Sequence, residues 1–470
     1  MQPTGGDPLL DVLLIKPDFR NEIALMPPLG LCSLAAVLRE NGLSVAIKDY
    51  ALQPASDRRM ASDINEFSPA VIGITATTPS IHSAISLARF IKEQNPDIHL
   101  CAGGVHASNR PEEMLQSGFE SVCIGEAEYS FLELTKAIIK KKSVEDIPGV
   151  ITKNTNKAVI NSQWQHVEDL DKLPFPAIDL LPVDEYFRRK RTYGVITRSP
   201  RVLPILTTRG CPSRCTFCHS VTGNRIRYRS SQNVVDEIEI NVQKYKIREI
   251  QILDDNFAFN REHAISICRE IRKRNLNIQF WFPTGIREDN LDEEMLIELR
   301  QTGCYALSFG LESGSQKVLG LRRKNKTVAE MKEKVLLAKK HGFKVTAGFL
   351  FGTPGETLAD MEQTIEFACS LPLDSLNFQI VSPYPGTEVR EIAERNGYLI
   401  HSDWEKYDTT WAPLESAIET EDFTVADLRR VQSRAYRRYY LRPSMILKSL
   451  PNMLSWEKFK KYVSYSRKYI

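Results

Sequence analysis

The stretch Thr208-Arg-Gly-Cys-Pro-Ser-Arg-Cys-Thr-Phe-Cys-His219 decides how this chain is interpreted. Its three cysteines, Cys211, Cys215 and Cys218, have the spacing C-x₃-C-x₂-C and follow an apolar, strand-like run at residues 202–206. Thiolates are soft ligands that suit iron–sulfur clusters, and three of them can hold three irons of a [4Fe–4S] cube. The fourth iron then stays open for a chelating ligand. The spacing therefore predicts a cluster site on a loop after a strand.

The main alternatives to a cluster are zinc and disulfides. Structural zinc usually has four ligands, commonly in two separated pairs, and the sequence has no second C-x₂-C pair. His219 would complete a Cys₃His set, but it abuts Cys218. Disulfides are disfavoured because the chain has the features of a cytosolic protein, whose thiols stay reduced.

Composition describes an ordinary folded protein. With 470 residues the chain is long enough for two or three domains, and 42% hydrophobic and 26% charged residues are typical of a sizeable core. A net charge of +3 indicates no particular partner. The N-terminus lacks a signal-peptide pattern, and no apolar run approaches the about 18 residues of a membrane span. We therefore expect a cytoplasmic protein.

The first 150 residues alternate between strand-like and helix-like runs, which predicts an α/β fold with a doubly wound parallel sheet. The strands are expected at residues 11–15, 44–48, 70–75, 99–103 and 121–124, and the helices at residues 29–41, 81–94, 111–117 and 128–140. Ligands of such sheets bind outside the carboxyl ends of the strands. The polar and glycine residues at those ends are Thr75, Thr77, Thr78, Gly103, Gly104, Gly125 and Glu126.

The alternation resumes at residue 202 with six further strands, too few for a closed eight-fold barrel. They are expected at residues 202–207, 249–253, 279–283, 306–309, 344–351 and 376–381. Chemistry in barrel folds is located at the carboxyl ends of the strands. The cysteine loop follows the first of these strands, and the other candidates at strand ends are Asp254, Asp255, Ser308, Glu312 and Gly352.

Two sets of motifs carry a family resemblance. The cysteine loop, with Phe217 before its last cysteine, resembles the radical S-adenosylmethionine (SAM) superfamily. The N-terminal segment resembles the cobalamin-binding domain found ahead of many such proteins, through Met26-Pro-Pro-Leu-Gly-Leu31, Ile74-Thr-Ala-Thr-Thr-Pro79, Ala102-Gly-Gly-Val-His106 and Ile124-Gly-Glu-Ala127. The most similar pattern is the group that includes anaerobic magnesium-protoporphyrin ester cyclases and class B radical SAM methyltransferases.

The resemblance implies a cobalamin-binding domain at residues 8–145, a connector at 146–200, a partial (β/α)₆ barrel at 201–400 and a small helical, basic tail at 401–470. The three cysteines would hold the cluster, and the sheet-end residues of the first domain would contact cobalamin. SAM would be bound through its ammonium group by Asp254 and Asp255, near its ribose and methionine by Ser308 and Glu312, and beside its adenine by Gly352.

The chain departs from methionine-synthase-like domains in one respect. Their first loop carries Asp-x-His-x-x-Gly, whose histidine ligates cobalt, whereas the loop here reads Lys16-Pro-Asp-Phe-Arg-Asn21. The resemblance therefore implies cobalt without a histidine from this loop. His82 and His106 are candidate substitutes, and a flavodoxin-like sheet without cofactor is the alternative for the whole domain.

Three segments have less specific patterns. The proline-punctuated connector is expected to run extended along the surface rather than build a core. Arg287 and the basic loop Arg225-Ile-Arg-Tyr-Arg229 are expected either to clamp an anion or to be solvated. In the tail, residues 427–440 and 456–469 have basic, aromatic helix-like patterns, which favour either packing over the barrel mouth or contact with a membrane surface or an anionic substrate.

The resemblance implies an enzyme that cleaves SAM reductively to a 5′-deoxyadenosyl radical and transfers a methyl group to an unactivated carbon. The substrate would be a small-molecule or lipid-like compound, with a flavodoxin- or ferredoxin-type external electron donor and possible peripheral membrane association. Oxidative cyclisation or another radical rearrangement is the alternative reaction. A non-enzymatic cobalamin- or SAM-responsive binding protein is the alternative class. No recognisable module indicates nucleic acid binding.

Overall fold

The structure is a computed structural model that describes residues 9–19, 24–154, 166–194, 196–219, 221–288, 290–407 and 417–447. Its internal contacts divide the chain into two compact units. The first is Met1–Cys211 with Ser220–Gln251, and the second is Pro212–His219 with Ile252–Ile470.

The N-terminal sheet has six strands in the order β2-β1-β3-β4-β5-β6. The first five strands in the chain are parallel, and β6 pairs antiparallel to β5. The strands are β1 (Leu10–Lys16), β2 (Val45–Asp49), β3 (Pro69–Thr75), β4 (His99–Gly103), β5 (Ser121–Cys123) and β6 (Val150–Thr152). The helices are α1 (Leu29–Glu40), α2 (Asp57–Phe67), α3 (Ile81–Gln94), α4 (Val105–Asn109), α5 (Pro111–Gln116) and α6 (Glu128–Ile139). The doubly wound parallel sheet is confirmed.

Helix α2 was not predicted from the sequence because only a few of its residues are apolar. Its buried side chains include just two apolar ones, Met60 and Ile64, and one acid, Asp63. The Ser56 side chain accepts a hydrogen bond from the backbone N–H of Arg59 and so caps the helix N-terminus. A narrow apolar stripe with a good cap is sufficient for a helix that covers one edge of the sheet.

The prediction that the connector runs over the surface without building a core is wrong. The segment forms a short helix, α7 (Val183–Arg189), whose Tyr186 and Phe187 are buried. The Tyr186 hydroxyl donates a hydrogen bond to Asp49 Oδ2 at 2.7 Å, and Ile178 is 2% exposed. The prolines end regular structure here, but the apolar residues between them still pack.

The second sheet has six strands in the order β14-β13-β12-β11-β10-β7, with β11 to β14 parallel. Its strands are β7 (Val202–Ile205), β10 (Glu249–Ile252), β11 (Gln279–Trp281), β12 (Cys304–Glu312), β13 (Lys344–Phe351) and β14 (Ser375–Ile380), and a separate two-stranded ribbon joins β8 (Thr208–Arg209) to β9 (Arg227–Tyr228). The helices are α8 (Ser231–Tyr245), α9 (Arg261–Lys273), α10 (Glu293–Thr302), α11 (Gln316–Leu321), α12 (Val328–Lys340), α13 (Leu358–Ser370) and α14 (Glu388–Arg395). The open six-unit sheet predicted from the sequence is confirmed.

One face of β13 and β14 is an aromatic layer. The rings of Phe351 and Phe378 stack with centroids 5.4 Å apart, and Phe349 lies 5.5 Å from Phe378 and 6.3 Å from Phe367 of α13. All three strand phenylalanines are fully buried. This face of the sheet therefore forms the core against the helices, and the opposite face is left to the interior of the half-barrel.

The tail contributes helix α15 (Val425–Tyr440), which lies along the edge strand β14. The Tyr436 hydroxyl accepts from the N–H of Phe378 at 3.1 Å, and the Tyr440 hydroxyl accepts from the N–H of Leu376 at 3.0 Å and donates to its carbonyl at 2.8 Å. An edge strand otherwise presents unpaired backbone groups, so these hydroxyls take the place of a further strand. Residues 456–469 lie outside the described residues.

Several arginines of α15 form ion pairs, either with Glu362 of α13 or with an acid of α15 itself. Arg434 Nη2 lies 2.9 Å from Glu362 Oε2, Arg438 also pairs with Glu362, and Arg430 pairs with Asp427. No helix of the described residues is long and apolar enough to cross a membrane.

We predict that the Tyr436→Phe/Tyr440→Phe double variant lowers the free energy of unfolding by about 1–3 kcal/mol, because edge groups of β14 lose their partners. Denaturant unfolding would measure the change. Arg430→Ala, which removes an exposed ion pair on the same helix, is the control and should change stability by no more than about 0.5 kcal/mol. Equal midpoints for the double variant and the control would contradict this role for the hydroxyls.

Candidate functional site

Backbone hydrogen bonds close the cysteine loop. The Cys211 N–H donates to the carbonyl of Gly223 at 3.1 Å, and the Cys218 N–H donates to the carbonyl of Cys215 at 3.1 Å. Gly210 has φ +92, and a Cβ at this position would lie 2.3 Å from the Arg225 carbonyl oxygen, so only glycine fits before the first cysteine.

The three thiols differ in exposure: those of Cys211 and Cys215 are half-buried, and that of Cys218 is exposed. Within the described residues, no three histidine, cysteine, aspartate or glutamate side chains converge closely enough to hold a metal ion. Burial lowers the pKa of His219, against the opposing charge of Asp255.

A buried arginine that sequence analysis missed organises the strand ends of the second unit. Arg322 is fully buried, and its guanidinium donates to the carbonyl oxygens of Glu312 and Leu350 at 2.8 and 2.9 Å. It also donates to Thr353 Oγ1 at 2.8 Å and to Glu356 Oε2 at 3.0 Å. One side chain therefore joins the carboxyl ends of β12 and β13.

The same arginine contacts the cysteine loop through its backbone. The Thr216 N–H donates to the Arg322 carbonyl at 3.4 Å, and the Thr216 carbonyl accepts from the Val389 N–H at 2.9 Å. Thr216 lies between Cys215 and Cys218, so this part of the loop is held against the end of α11 and the start of α14.

Glu312 is held in a strained conformation. It has φ +65, which is uncommon for a residue other than glycine, and it is 9% exposed. Its Oε1 accepts a hydrogen bond from Lys324 Nζ at 2.9 Å. A Cβ on Gly310 would lie 2.5 Å from this oxygen, so the ion pair occupies the space directly over Gly310. Strained backbone of this kind is concentrated at functional sites.

Lys324 is the second residue that the sequence did not reveal. Burial alone would lower the pKa of Lys324, but the charges of Glu312, Glu288 and Cys215 raise it above its ordinary value. The ammonium group therefore stays charged beside the middle cysteine. In the sequence it lies in a basic run, Arg322-Arg-Lys-Asn-Lys326, that has the composition of a solvated loop.

The other residues predicted to bind SAM also lie at strand ends of the second unit. Asp254 is buried and Asp255 exposed after β10, and Ser308 is half-buried on β12. Gly352, with φ +90, ends β13, and a Cβ there would meet the Leu428 side chain of α15 at 3.1 Å.

In the first unit, the predicted cofactor residues gather at the carboxyl ends of adjacent strands. Thr75 of β3 is in register with Gly103 of β4. A Cβ on Gly103 would meet only the Cys123 carbonyl, at 4.0 Å, so this backbone is uncovered. Gly104, with φ +93, instead packs against Thr75 and Ala76, where a Cβ would lie 2.8 Å from both.

The two candidate histidines occupy different environments. His106 is 1% exposed, its Nδ1 lies 3.0 Å from Thr78 Oγ1 and its Nε2 lies 3.6 Å from Glu113. His82 is exposed at the start of α3. Thr77 is engaged with Ser80 in a capping box. His106 therefore serves as an internal hydrogen-bonding residue in this structure.

Two glutamates of the first unit, Glu126 and Glu237, form buried ion pairs with arginines of the basic loop. Both Glu126 oxygens accept from Arg227, at 2.6 and 2.7 Å, and the Gly125 N–H donates to Ser108 Oγ at 3.0 Å. Arg229 pairs with buried Glu237 at 2.5 Å. In the basic loop, Arg227 and Arg229 are thus paired internally rather than solvated or available to an anion. Beyond that loop, Arg287 donates to Ser213 Oγ at 2.5 Å.

Comparisons with known proteins identify both halves. A family model for the radical SAM superfamily matches residues 205–368, and one for the B12 binding domain matches residues 24–135. The uncharacterized methyltransferase PH0819 of Pyrococcus horikoshii is 32% identical over 451 residues, covering 94% of this chain and 95% of that protein. The chain belongs to the cobalamin-dependent radical SAM methyltransferase family.

Two further comparisons give one curated relative and one solved structure. The anaerobic magnesium-protoporphyrin IX monomethyl ester cyclase of Rubrivivax gelatinosus is 27% identical, covering 93% of this chain and 78% of that enzyme. A solved structure of the radical SAM methyltransferase TsrM from Kitasatospora setae, with cobalamin and a [4Fe–4S] cluster, has a TM-score of 0.69. At 23% identity, covering 83% of this chain and 79% of TsrM, it shows a shared fold.

Family membership makes this chain an enzyme whose cofactors are a [4Fe–4S] cluster, SAM and cobalamin. The residues present fit these groups. The cysteine loop supplies three soft thiolate donors, and Gly103 offers bare backbone at the carboxyl end of β4. On the half-barrel, a Cβ at Gly348 of β13 would meet nothing within 4 Å, which leaves space beside the strand.

We predict that cobalt has no histidine ligand from this chain, because His106 is bonded internally and the first loop carries no histidine. The EPR spectrum of the reconstituted cob(II)alamin protein should lack nitrogen superhyperfine splitting from a protein ligand. Observed splitting that disappears in His82→Ala or His106→Gln would identify the ligand and refute this expectation.

Proposed function

We propose that the enzyme transfers a methyl group to an unactivated carbon of a small-molecule or lipid-like substrate. The observation that carries the proposal is the combination of both cofactor domains with the C-x₃-C-x₂-C loop in a chain similar over nearly its whole length to a methyltransferase. When bound, the cluster and SAM supply a 5′-deoxyadenosyl radical, and cobalamin supplies a methyl group.

Cys211, Cys215 and Cys218 would hold the cluster, and the Glu312–Lys324 pair would receive the amino-acid end of SAM. This end of SAM carries one ammonium and one carboxylate. Each of these charges could therefore replace one partner of the Glu312–Lys324 ion pair. Its carboxylate would face Lys324, and its ammonium would face Glu312. The exchange keeps every buried charge paired, which a low-dielectric site requires. Asp254, Asp255, Ser308 and Gly352 would complete the contacts with SAM.

The cobalamin contacts would come mainly from backbone at the strand ends. Gly103 is uncovered, whereas Thr77, Thr78 and Glu126 are each engaged by other residues of the first unit. Thr75, Gly104 and Gly125 would shape the same surface. On this proposal these polar side chains keep the loops in place, and cobalamin lies against the glycine backbone.

The cyclase relative supports one alternative, an oxidative cyclisation on the same cofactors. The two reactions differ in what they do to SAM. Methyl transfer consumes one SAM as methyl donor and another as radical source, whereas cyclisation needs only the radical source.

We predict that turnover of the anaerobic, reduced enzyme yields both S-adenosylhomocysteine and 5′-deoxyadenosine, measured by mass spectrometry. The Cys211→Ala/Cys215→Ala/Cys218→Ala variant, a matched control with the same fold, should lose about four irons and form no 5′-deoxyadenosine. Formation of 5′-deoxyadenosine alone, with a substrate that loses hydrogen or gains oxygen, would favour cyclisation. Cleavage of SAM by the triple variant would refute the cluster assignment.

Reduction of the cluster would require an external flavodoxin- or ferredoxin-type donor. A further proposal is that the tail contacts a membrane surface. Because Arg430, Arg434 and Arg438 of α15 already form ion pairs within the protein, fewer basic groups remain for such a contact. Its support is the exposed apolar group Leu441, Ile446 and Leu447, which follows Arg437 and Arg438.

We predict binding to anionic liposomes at low salt and release at high salt, since each basic residue near such a surface contributes about 1 kcal/mol and is screened by ions. Co-sedimentation measures it, with neutral liposomes as the control. Truncation after residue 440 should abolish binding. An intact protein that ignores anionic liposomes at low salt would contradict membrane contact.

A further inference from the structure

The interior face of β12, β13 and β14 is polar, in contrast to their aromatic outer face. Parallel register places Ser308 beside Thr346, and Thr346 beside Ser375. One step further along, Gly348 is beside Asn377. Since side chains alternate along a strand, these residues share the face opposite Phe349 and Phe378. Gln379, two residues after Asn377, continues the row.

Such a lining is unusual for a barrel interior. In closed β/α barrels, bulky branched side chains from alternate strands fill the centre. Here most of the corresponding positions hold hydroxyls, amides and glycine, with Leu350 beside Gln379, and a Cβ at Gly348 would have no neighbour within 4 Å. The side chains of Thr346, Asn377 and Gln379 are only half-buried. The lumen beside β13 and β14 is therefore not packed by these strands.

The hydrogen-bonding capacity of this face is unused within the described residues. No described residue bonds the side chains of Thr346, Asn377 or Gln379. The indole Nε1–H of Trp281, which is 3% exposed, also has no acceptor there. Trp281 pairs with Ala306, but the register shifts between Phe280 and Trp281, so the strand pairing does not assign the indole to this face. A buried donor without an acceptor is costly, and each one in a native protein requires an explanation such as a bound ligand or water.

The middle of this face carries no charge. Asn377, Gln379 and Thr346 are neutral, the exposed Lys344 lies at the start of β13, and at the end of β12 Glu312 and Lys324 neutralise each other. A charged ligand group would be buried here without a counter-ion, which is strongly unfavourable. Amide side chains supply both a donor and an acceptor, so they match a group that displays both.

We propose that Asn377 and Gln379 bind a neutral, planar part of the substrate that displays a hydrogen-bond donor and acceptor, such as a carboxamide or lactam edge. This inference rests on the proposed function, since it assumes that the substrate enters the half-barrel. Adenine is also a neutral heterocycle, so the test has to separate the substrate from the adenosyl part of SAM.

The test uses the anaerobically reconstituted protein with oxidised cluster and saturating SAM, and three probes: benzamide, its charged analogue benzoate, and toluene, which lacks the polar group. Saturation-transfer NMR measures probe binding to the wild type and to Asn377→Leu/Gln379→Leu. Gln363→Leu on the exposed face of α13 is the matched control. The cluster EPR signal of the reduced protein, with and without SAM, reports SAM binding separately, and Lys324→Met is the variant expected to weaken it.

We expect benzamide to bind the wild type and the Gln363→Leu control, with benzoate and toluene much weaker. The double variant should bind benzamide about fivefold more weakly or worse, because two neutral hydrogen bonds are lost, and should keep the SAM-dependent EPR change.

Three outcomes would overturn the proposal: no benzamide binding to the wild type, equal binding to the double variant, or a loss of the SAM-dependent EPR change in the double variant. The last outcome would assign the amides to the adenosyl group. None of these depends on turnover. If the wild type failed to cleave SAM, the proposed function would be refuted, but the benzamide-binding result would still stand.

Discussion

The fully buried guanidinium of Arg322 is the constraint on which the carboxyl ends of β12 and β13 depend. A buried cation must be fully paired, and Arg322 meets this requirement with two strand-end carbonyls, one hydroxyl and one carboxylate. Each of these partners lies at or just beyond the end of β12 or β13. Satisfying one charge therefore fixes the relative position of both ends.

Two features of the site follow from this constraint. The Glu312 carbonyl is one of the partners, and the surrounding bonds hold Glu312 at positive φ, a strain of about 1–3 kcal/mol. The Arg322 carbonyl in turn accepts from Thr216 in the cysteine loop. Burial raises the pKa of Glu356, although Arg322 and the N–H groups of Thr353 and Gly352 oppose this. A buried ion pair such as Arg322–Glu356 contributes more to selecting one geometry of the strand ends than to the free energy of unfolding.

Local patterns in the sequence were sufficient for the fold and for the cofactor motifs. Strand β13 and helix α3 were predicted with their observed limits, because a strand of alternating burial and an amphipathic helix each have a clear periodicity. The connector was misjudged, since its prolines concealed the packing of Ile178 and Tyr186. Charge pairs were also missed: Glu126 meets Arg227 from 101 residues away, and no periodicity reports such a contact.

The chemical division of the half-barrel face explains why sequence motifs identify the cofactors and not the substrate. At the end of β12, charge is concentrated in the Glu312–Lys324 pair, which matches a zwitterion and is surrounded by recognisable motifs. On β14, recognition would depend on two neutral amides whose neighbours on the strand are ordinary core residues. Hydrogen bonds of neutral groups discriminate through direction and through the cost of leaving a partner unpaired, not through long-range attraction. Substitutions at Asn377 and Gln379 can therefore change which substrate fits without disturbing the charges that hold the cofactor end together.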